Sequence, residues 1–87
     1  MDIFTALADP TRRKIVELLT RHGPSPATEI YKHFSVSAPA ISQHLQVLYQ
    51  ANLVQVERKA QQRIYRVNPQ TMRELELWAG RNNLVVE

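Results

Sequence analysis

Cysteine is absent from the 87 residues of this chain. That excludes disulfides, thiolate nucleophiles and thiolate metal ligands together, and it fits a reducing compartment. No apolar run approaches the roughly 18 residues that a membrane-spanning helix needs, and the N-terminus lacks the basic-then-apolar layout of a secretory signal. A cytoplasmic protein without membrane contact is therefore expected. Histidine occurs three times, as His22, His33 and His44, and no two of these stand at the i, i+4 spacing that sets two imidazoles on one helix face. No bound metal or other cofactor is predicted. No nucleophile–base pair, phosphate loop or carboxylate pair stands out either, so enzymatic activity is not expected. Internal repeats and low-complexity segments are also missing.

What remains is the composition of a folded globule, 44% apolar and 22% charged. Residues 1–87 make one domain with one small core. A chain of this size buries only about 60 to 65% of its unfolded surface, so burial against a second copy would add to its stability. Eleven basic against eight acidic residues give a net +3, a mild lean toward polyanions whose placement matters more than its size.

The stretch SAPAISQHLQVLYQ, Ser37 to Gln50, carries the most information. Ser37 suits a helix cap, and Pro39 falls in the first turn, where no internal N–H donor is needed. Ile41, Leu45 and Leu48 follow at i, i+4 and i+7 and form one apolar stripe. Pro39, Gln43, Gln46 and Gln50 collect on the opposite side. A solvated face ordinarily carries Glu and Lys, whereas this one carries amides, which donate to and accept from the edges of base pairs. The pattern predicts a recognition helix.

Upstream, Asp2 to Ala8 is a short amphipathic segment containing Ile3, Phe4 and Leu7, too short to be stable without a partner surface. Asp9-Pro10 opens a second helix that buries Ile15, Leu18 and Leu19 and stops at Gly23. Arg12, Arg13 and Lys14 stand at its start, the wrong end of the helix dipole for cations. Either a solvated face or direct phosphate contact accounts for them, and the reason for the cluster stays open. Ser25 and Pro26 then predict the cap and first position of a third helix, Pro26 to Phe34, facing inward through Ala27, Ile30 and Phe34. Two short helices joined by a few residues form a helix-turn-helix, although the usual glycine is missing from this turn.

Downstream, Asn52 suits the left-handed position that ends the recognition helix. Leu53 to Lys59 and Arg63 to Val67 read as strands, with Ala60-Gln61-Gln62 as a short tip. Without glycine or Asn-Gly that tip is predicted to be longer or distorted. Between Glu57 and Arg66, the four basic residues Arg58, Lys59, Arg63 and Arg66 against the one acid give a local +3, equal to the surplus of the whole chain. Asn68-Pro69 caps a last helix, Gln70 to about Ala79, with Met72, Leu75 and Trp78 on one stripe and Gly80 as its stop. The fold class is thus mainly α with a small β-hairpin: about five helices and a two-stranded wing.

The segments FTALADPTRRKIVELL (Phe4 to Leu19), SAPAISQHLQVLYQANLV (Ser37 to Val54) and RIYRVNP (Arg63 to Pro69) resemble the ArsR/SmtB family of bacterial winged-helix repressors. The likeness covers nearly the whole chain and is greatest for the cysteine-free members. It implies a homodimer built from the first and last helices, which binds a palindromic operator and represses its own or a neighbouring operon. Two metal sites of the family lack their ligands here. Cysteines are missing from the helix matched by Ala27 to Phe34, and Gln70 to Gly80 holds Glu74 and Glu76 but no histidine. His44, at the edge of the apolar stripe, is expected to be a hydrogen-bonded structural residue.

In this reading Gln43 and Gln46 meet base edges, and Pro39 and Ala40 touch thymine methyl groups. Ser37, Ser42 and Thr28 position the phosphate backbone. Arg58, Lys59, Gln61, Gln62 and Arg63 reach phosphates or the adjacent minor groove from the wing. Ile3, Phe4 and Leu7 combine with Met72, Leu75 and Trp78 at the dimer interface. Two other functions fit the same fold: a protein-docking platform, and a sensor that releases DNA on binding an unidentified small molecule.

Overall fold

The computed structural model describes residues 2–82. Five helices and a three-stranded antiparallel sheet follow one another as α1 (Ile3–Leu7), α2 (Pro10–His22), β1 (Ser25–Pro26), α3 (Ala27–Lys32), α4 (Ala38–Gln50), β2 (Val54–Lys59), β3 (Gln62–Val67) and α5 (Pro69–Arg81). The sheet order is β1-β3-β2.

Most helix starts are made by the predicted caps. Asp9 accepts from the backbone N–H groups of Thr11 (2.8 Å) and Arg12 (3.1 Å) ahead of α2. Ser37 Oγ accepts from Ala40 N–H at 3.3 Å ahead of α4, and Asn68 Oδ1 from Gln70 N–H at 3.1 Å ahead of α5. Each satisfies a donor that the first turn would otherwise leave without a partner. Helix α4 ends as expected on Asn52, at φ 61°. The N–H of Leu53 reaches back to Leu48 O at 2.9 Å and that of Asn52 to Tyr49 O at 3.0 Å. This is the paired closure of a Schellman motif, and it turns the chain directly into β2.

Several predicted boundaries differ from the structure, α3 for one ending at Lys32 rather than at Phe34. Ser25 does not cap α3: its Oγ donates to Gly23 O at 2.9 Å, and α3 starts after Pro26 with no side-chain cap. Ser25-Pro26 instead forms β1, pairing Ser25 with Tyr65 and Pro26 with Ile64. An edge position tolerates a proline, and the short strand covers the second edge of β3. The wing tip is tight rather than long. Lys59 pairs with Gln62, so Ala60 and Gln61 alone form the loop, and Ala60 takes φ 57°. An L-residue with a side chain is strained by roughly 1 to 2 kcal/mol in that region, so the expected distortion is present in the backbone angle. Finally, Gly80 lies inside α5, which runs to Arg81. Asn82 closes it, its backbone N–H and its side-chain Nδ2 both donating to Trp78 O, at 3.1 and 2.8 Å. The roughly 1 kcal/mol penalty of an interior glycine is too small to stop a helix capped two residues later.

The core joins Ile15 and Leu19 of α2, Ile30 of α3 and Ile41, Leu45 and Leu48 of α4 to Leu53, Val54 and Tyr65, with Ala6 and Ala51 at its edge. Ile41, Leu45 and Leu48 are each no more than 1% exposed. Each contributes about 1.5 to 3 kcal/mol by leaving water, and α4, marginal as an isolated helix, is held by that burial. The terminal helices are different. Helix α1 buries Ala6 and α5 buries Thr71, although Ile3, Leu7 and Met72 pack partly against the core.

The Asp9 cap is open to titration. Its carboxyl is held below the ordinary carboxylate value, chiefly by the N–H of Arg12, against the opposing effect of burial and with further help from Thr11 N–H and the Arg12 guanidinium. A depressed folded value contributes stability above the unfolded value, lost as pH falls through the folded one. Asp9→Ala should cost about 1 kcal/mol in urea unfolding at neutral pH, and the penalty should shrink from about pH 4 downward as Asp9 protonates. A penalty equal at pH 7 and pH 3 would show that the carboxylate charge contributes nothing to the cap.

Candidate nucleic-acid interface

The outward face of α4 presents Pro39, Ser42, Gln43 and Gln46 to solvent, with Ser37 exposed at its start and Ala40 half-buried. Neither glutamine makes a side-chain hydrogen bond among the described residues, so both amides keep their full donor and acceptor capacity. Ser37 Oγ accepts from Ala40 N–H, and its own hydrogen remains available to a phosphate oxygen.

Arg58, Lys59, Gln61, Gln62 and Arg63 are all exposed on the wing. The register sets Arg58 directly opposite Arg63 on one face of the ribbon. Like charges in directly opposed positions destabilise a β-ladder. Neither residue has an ion-pair partner among the described residues, where the ion pair present is Lys32 with Glu29, 3.1 Å apart on the surface of α3. Two unneutralised guanidiniums side by side are therefore not explained by stability, and an external anion would relieve their repulsion. Thr28 and Tyr31 of α3 line a shallow cleft together with Gln61, Gln62 and Arg63, so the helix before the recognition helix and the wing tip share one wall. Tyr31 was not among the residues predicted from sequence. Its position beside the tip follows from the pairing of β1 with β3, which no local pattern announces.

The basic residues of α2 have another use. Arg12 Nε donates to Ala6 O at 2.6 Å, and Arg13 donates to Leu7 O (2.8 Å) and Ala8 O (3.0 Å). These carbonyls close α1 and have no helical partner of their own. The cluster at the wrong end of one dipole thus sits at the right end of another. Arg12 also meets His44 Nδ1 at 3.3 Å, which gives that histidine the structural role expected of it. His22 and His33, far apart in sequence, bring their ring centroids to 5.6 Å. No group of three or more His, Asp or Glu side chains able to hold a metal forms among the described residues.

Near the two chain ends, Phe4 and Trp78 lie with ring centroids 4.7 Å apart and planes at 54°, which brings α1 and α5 together. Phe4 is 52% exposed and Trp78 37%, and Leu77, which the stripe Met72–Leu75–Trp78 passes over, is 56% exposed. Leu75 is half-buried beside them.

The model of the bacterial regulatory proteins of the arsR family matches residues 9–56, more than half of the chain. This chain belongs to the ArsR family. Within the family, it is 40% identical over 77 residues to the transcriptional repressor SdpR of Bacillus subtilis, covering 88% of this chain and 84% of that protein. It is 47% identical over 66 residues to the HTH-type transcriptional regulator Rv2034 of Mycobacterium tuberculosis, covering 76% of this chain and 61% of that one. Among solved structures, a possible transcriptional regulator for arsenical resistance superposes on all of this chain and 88% of its own with TM-score 0.83 at 37% identity. This ArsR-family chain is accordingly a winged-helix transcriptional regulator of the DNA-binding kind, and its described helices include none long and apolar enough to cross a membrane.

Proposed function

We propose that this regulator is a homodimeric repressor that binds a palindromic operator in the cytoplasm and shuts off its own or a neighbouring operon. The observation that carries the reading is the Arg58–Arg63 couple on the wing, without an ion-pair partner among the described residues, together with an α4 face whose glutamines have no hydrogen-bond partner among them. Repression is supported by the likeness to SdpR, itself named a transcriptional repressor.

The first turns of α4 enter the major groove. Gln43 and Gln46 pair with base edges, adenine being the base whose N6 and N7 match a side-chain amide, while Pro39 and Ala40 pack on thymine methyl groups. Ser37, Ser42 and Thr28 hold phosphates and fix the register without choosing the sequence. Arg58, Lys59, Gln61, Gln62 and Arg63 follow the backbone or the neighbouring minor groove, so affinity falls steeply as salt rises. The surface of Ile3, Phe4, Leu7, Met72, Leu75 and Trp78, extended by Leu77, pairs two copies and sets their recognition helices one DNA turn apart, about 34 Å. Ile3, Leu7 and Met72 also pack against their own core, so Phe4, Leu77 and Trp78 supply most of the apolar area free for a partner.

Two measurements test the parts separately. In binding to operator variants, Gln43→Ala should lose about 1 to 3 kcal/mol of discrimination at one base pair. Arg63→Ala should weaken binding to every sequence and reduce the salt slope by about 1. Equal losses on all variants for Gln43→Ala would remove that residue from base readout. In sedimentation, Trp78→Ala should raise the dimer dissociation constant about 30-fold, the loss of an aromatic anchor worth about 2 kcal/mol, and an unchanged dimer would refute this interface.

A further inference from the structure

Arg12 belongs to α2, but its guanidinium serves two other helices. Nε donates to Ala6 O at 2.6 Å and one terminal nitrogen reaches Thr5 O at 3.4 Å, both at the end of α1. The other terminal nitrogen meets His44 Nδ1 at 3.3 Å, on α4, next to Gln43. For Nδ1 to accept, the ring must carry its proton on Nε2. Asp9, which caps α2, adds a carboxylate to the same cluster, its charge favoured by the Arg12 guanidinium.

We propose that Arg12 is the positioning residue that fixes the recognition helix relative to the dimer-forming helix, and that the Arg12–His44 contact thereby sets the half-site spacing this regulator accepts. The inference rests on the dimeric reading above, because α1 carries part of the surface through which two copies meet. A five-residue helix cannot hold its own orientation, so α1 points where the groups on its terminal carbonyls direct it. Arg13 also holds that terminus but makes no hydrogen bond to α4, whereas Arg12 reaches both helices. The chemistry requires arginine. A planar fork with five N–H donors can serve acceptors on two sides at once, whereas the ammonium of lysine is a point donor on a flexible stem. The group is part-buried, so its hydrogen bonds compete less with water than exposed ones do.

The test is a spacing profile, which a merely stabilising residue would not alter in shape. Half-sites obtained by selection from random DNA are placed at the native separation and one base pair closer or farther, each step moving one half-site by about 3.4 Å and rotating it by about 35°. The wild-type dimer should prefer the native spacing by about tenfold or more, a difference of about 1.4 kcal/mol. In Arg12→Ala and His44→Ala that preference should fall below about threefold, because the two recognition helices no longer hold one separation. His44→Asn, whose Oδ1 stands where Nδ1 stood, should restore the sharp profile. If Arg12→Ala does not fold, the His44→Ala and His44→Asn pair decides alone, since neither removes the bonds from Arg12 to α1. A dimeric wild type with a sharp profile that both alanine variants keep, whatever their overall affinity, overturns the proposal by itself. A wild type that is monomeric, or indifferent to spacing, overturns the dimeric reading and the proposal with it.

Discussion

Burial of Ile41, Leu45 and Leu48 is the constraint on which the rest of this molecule depends. Those three side chains are almost wholly removed from water, and they fix which face of α4 looks outward. Because the apolar stripe is committed to the core, Gln43 and Gln46 are exposed and without hydrogen-bond partners among the described residues. Helix α3, β2 and the Schellman closure at Asn52 all pack around that stripe, so the readout surface and the wing are placed by the same small core. In a chain of this size that core has no redundancy: truncating any of the three would cost about 2 to 5 kcal/mol against a total stability of about 5 to 15 kcal/mol.

The basic residues divide by what they touch. Arg12 and Arg13 are committed to carbonyls at the end of α1, and their charge is local structure rather than a polyanion-binding patch. Arg58 and Arg63 face each other across the ribbon with no ion-pair partner among the described residues. A net charge of +3 says little about function on its own. Its distribution says more, because repulsion left unrelieved in the free protein becomes attraction once a phosphate backbone lies against the wing. In the proposed complex, wing and recognition helix divide the work, general affinity from the first and sequence choice from the second.

How much of this was legible in the sequence follows from how local each determinant is. The cap at Ser37, the stripe on α4 and the left-handed Asn52 lie within a few residues of what they control, and all three are present in the structure. The third strand was not legible, because two residues become a strand only when Tyr65 and Ile64 arrive beside them. Nor was the purpose of Arg12 and Arg13, whose acceptors lie five to seven residues upstream on a helix that turns back over them. Gly80 misled for a related reason: its penalty is intrinsic, whereas the cap that outweighs it comes from Asn82. Leu77 escaped notice because a three-residue stripe counts one face, and the exposed apolar area at the chain ends is wider than one face. The residues that the sequence singled out as candidates for DNA contact are accessible in the structure, Ala40 only partly so.

The central claim is that two copies of this chain read two half-sites one turn apart, with α4 in each major groove. Hydroxyl-radical footprinting of the full chain on its selected operator tests that most directly. The account predicts two symmetric protected patches on one face of the duplex, centred about 10 base pairs apart. A single asymmetric patch, or protection running evenly around the helix, would contradict it.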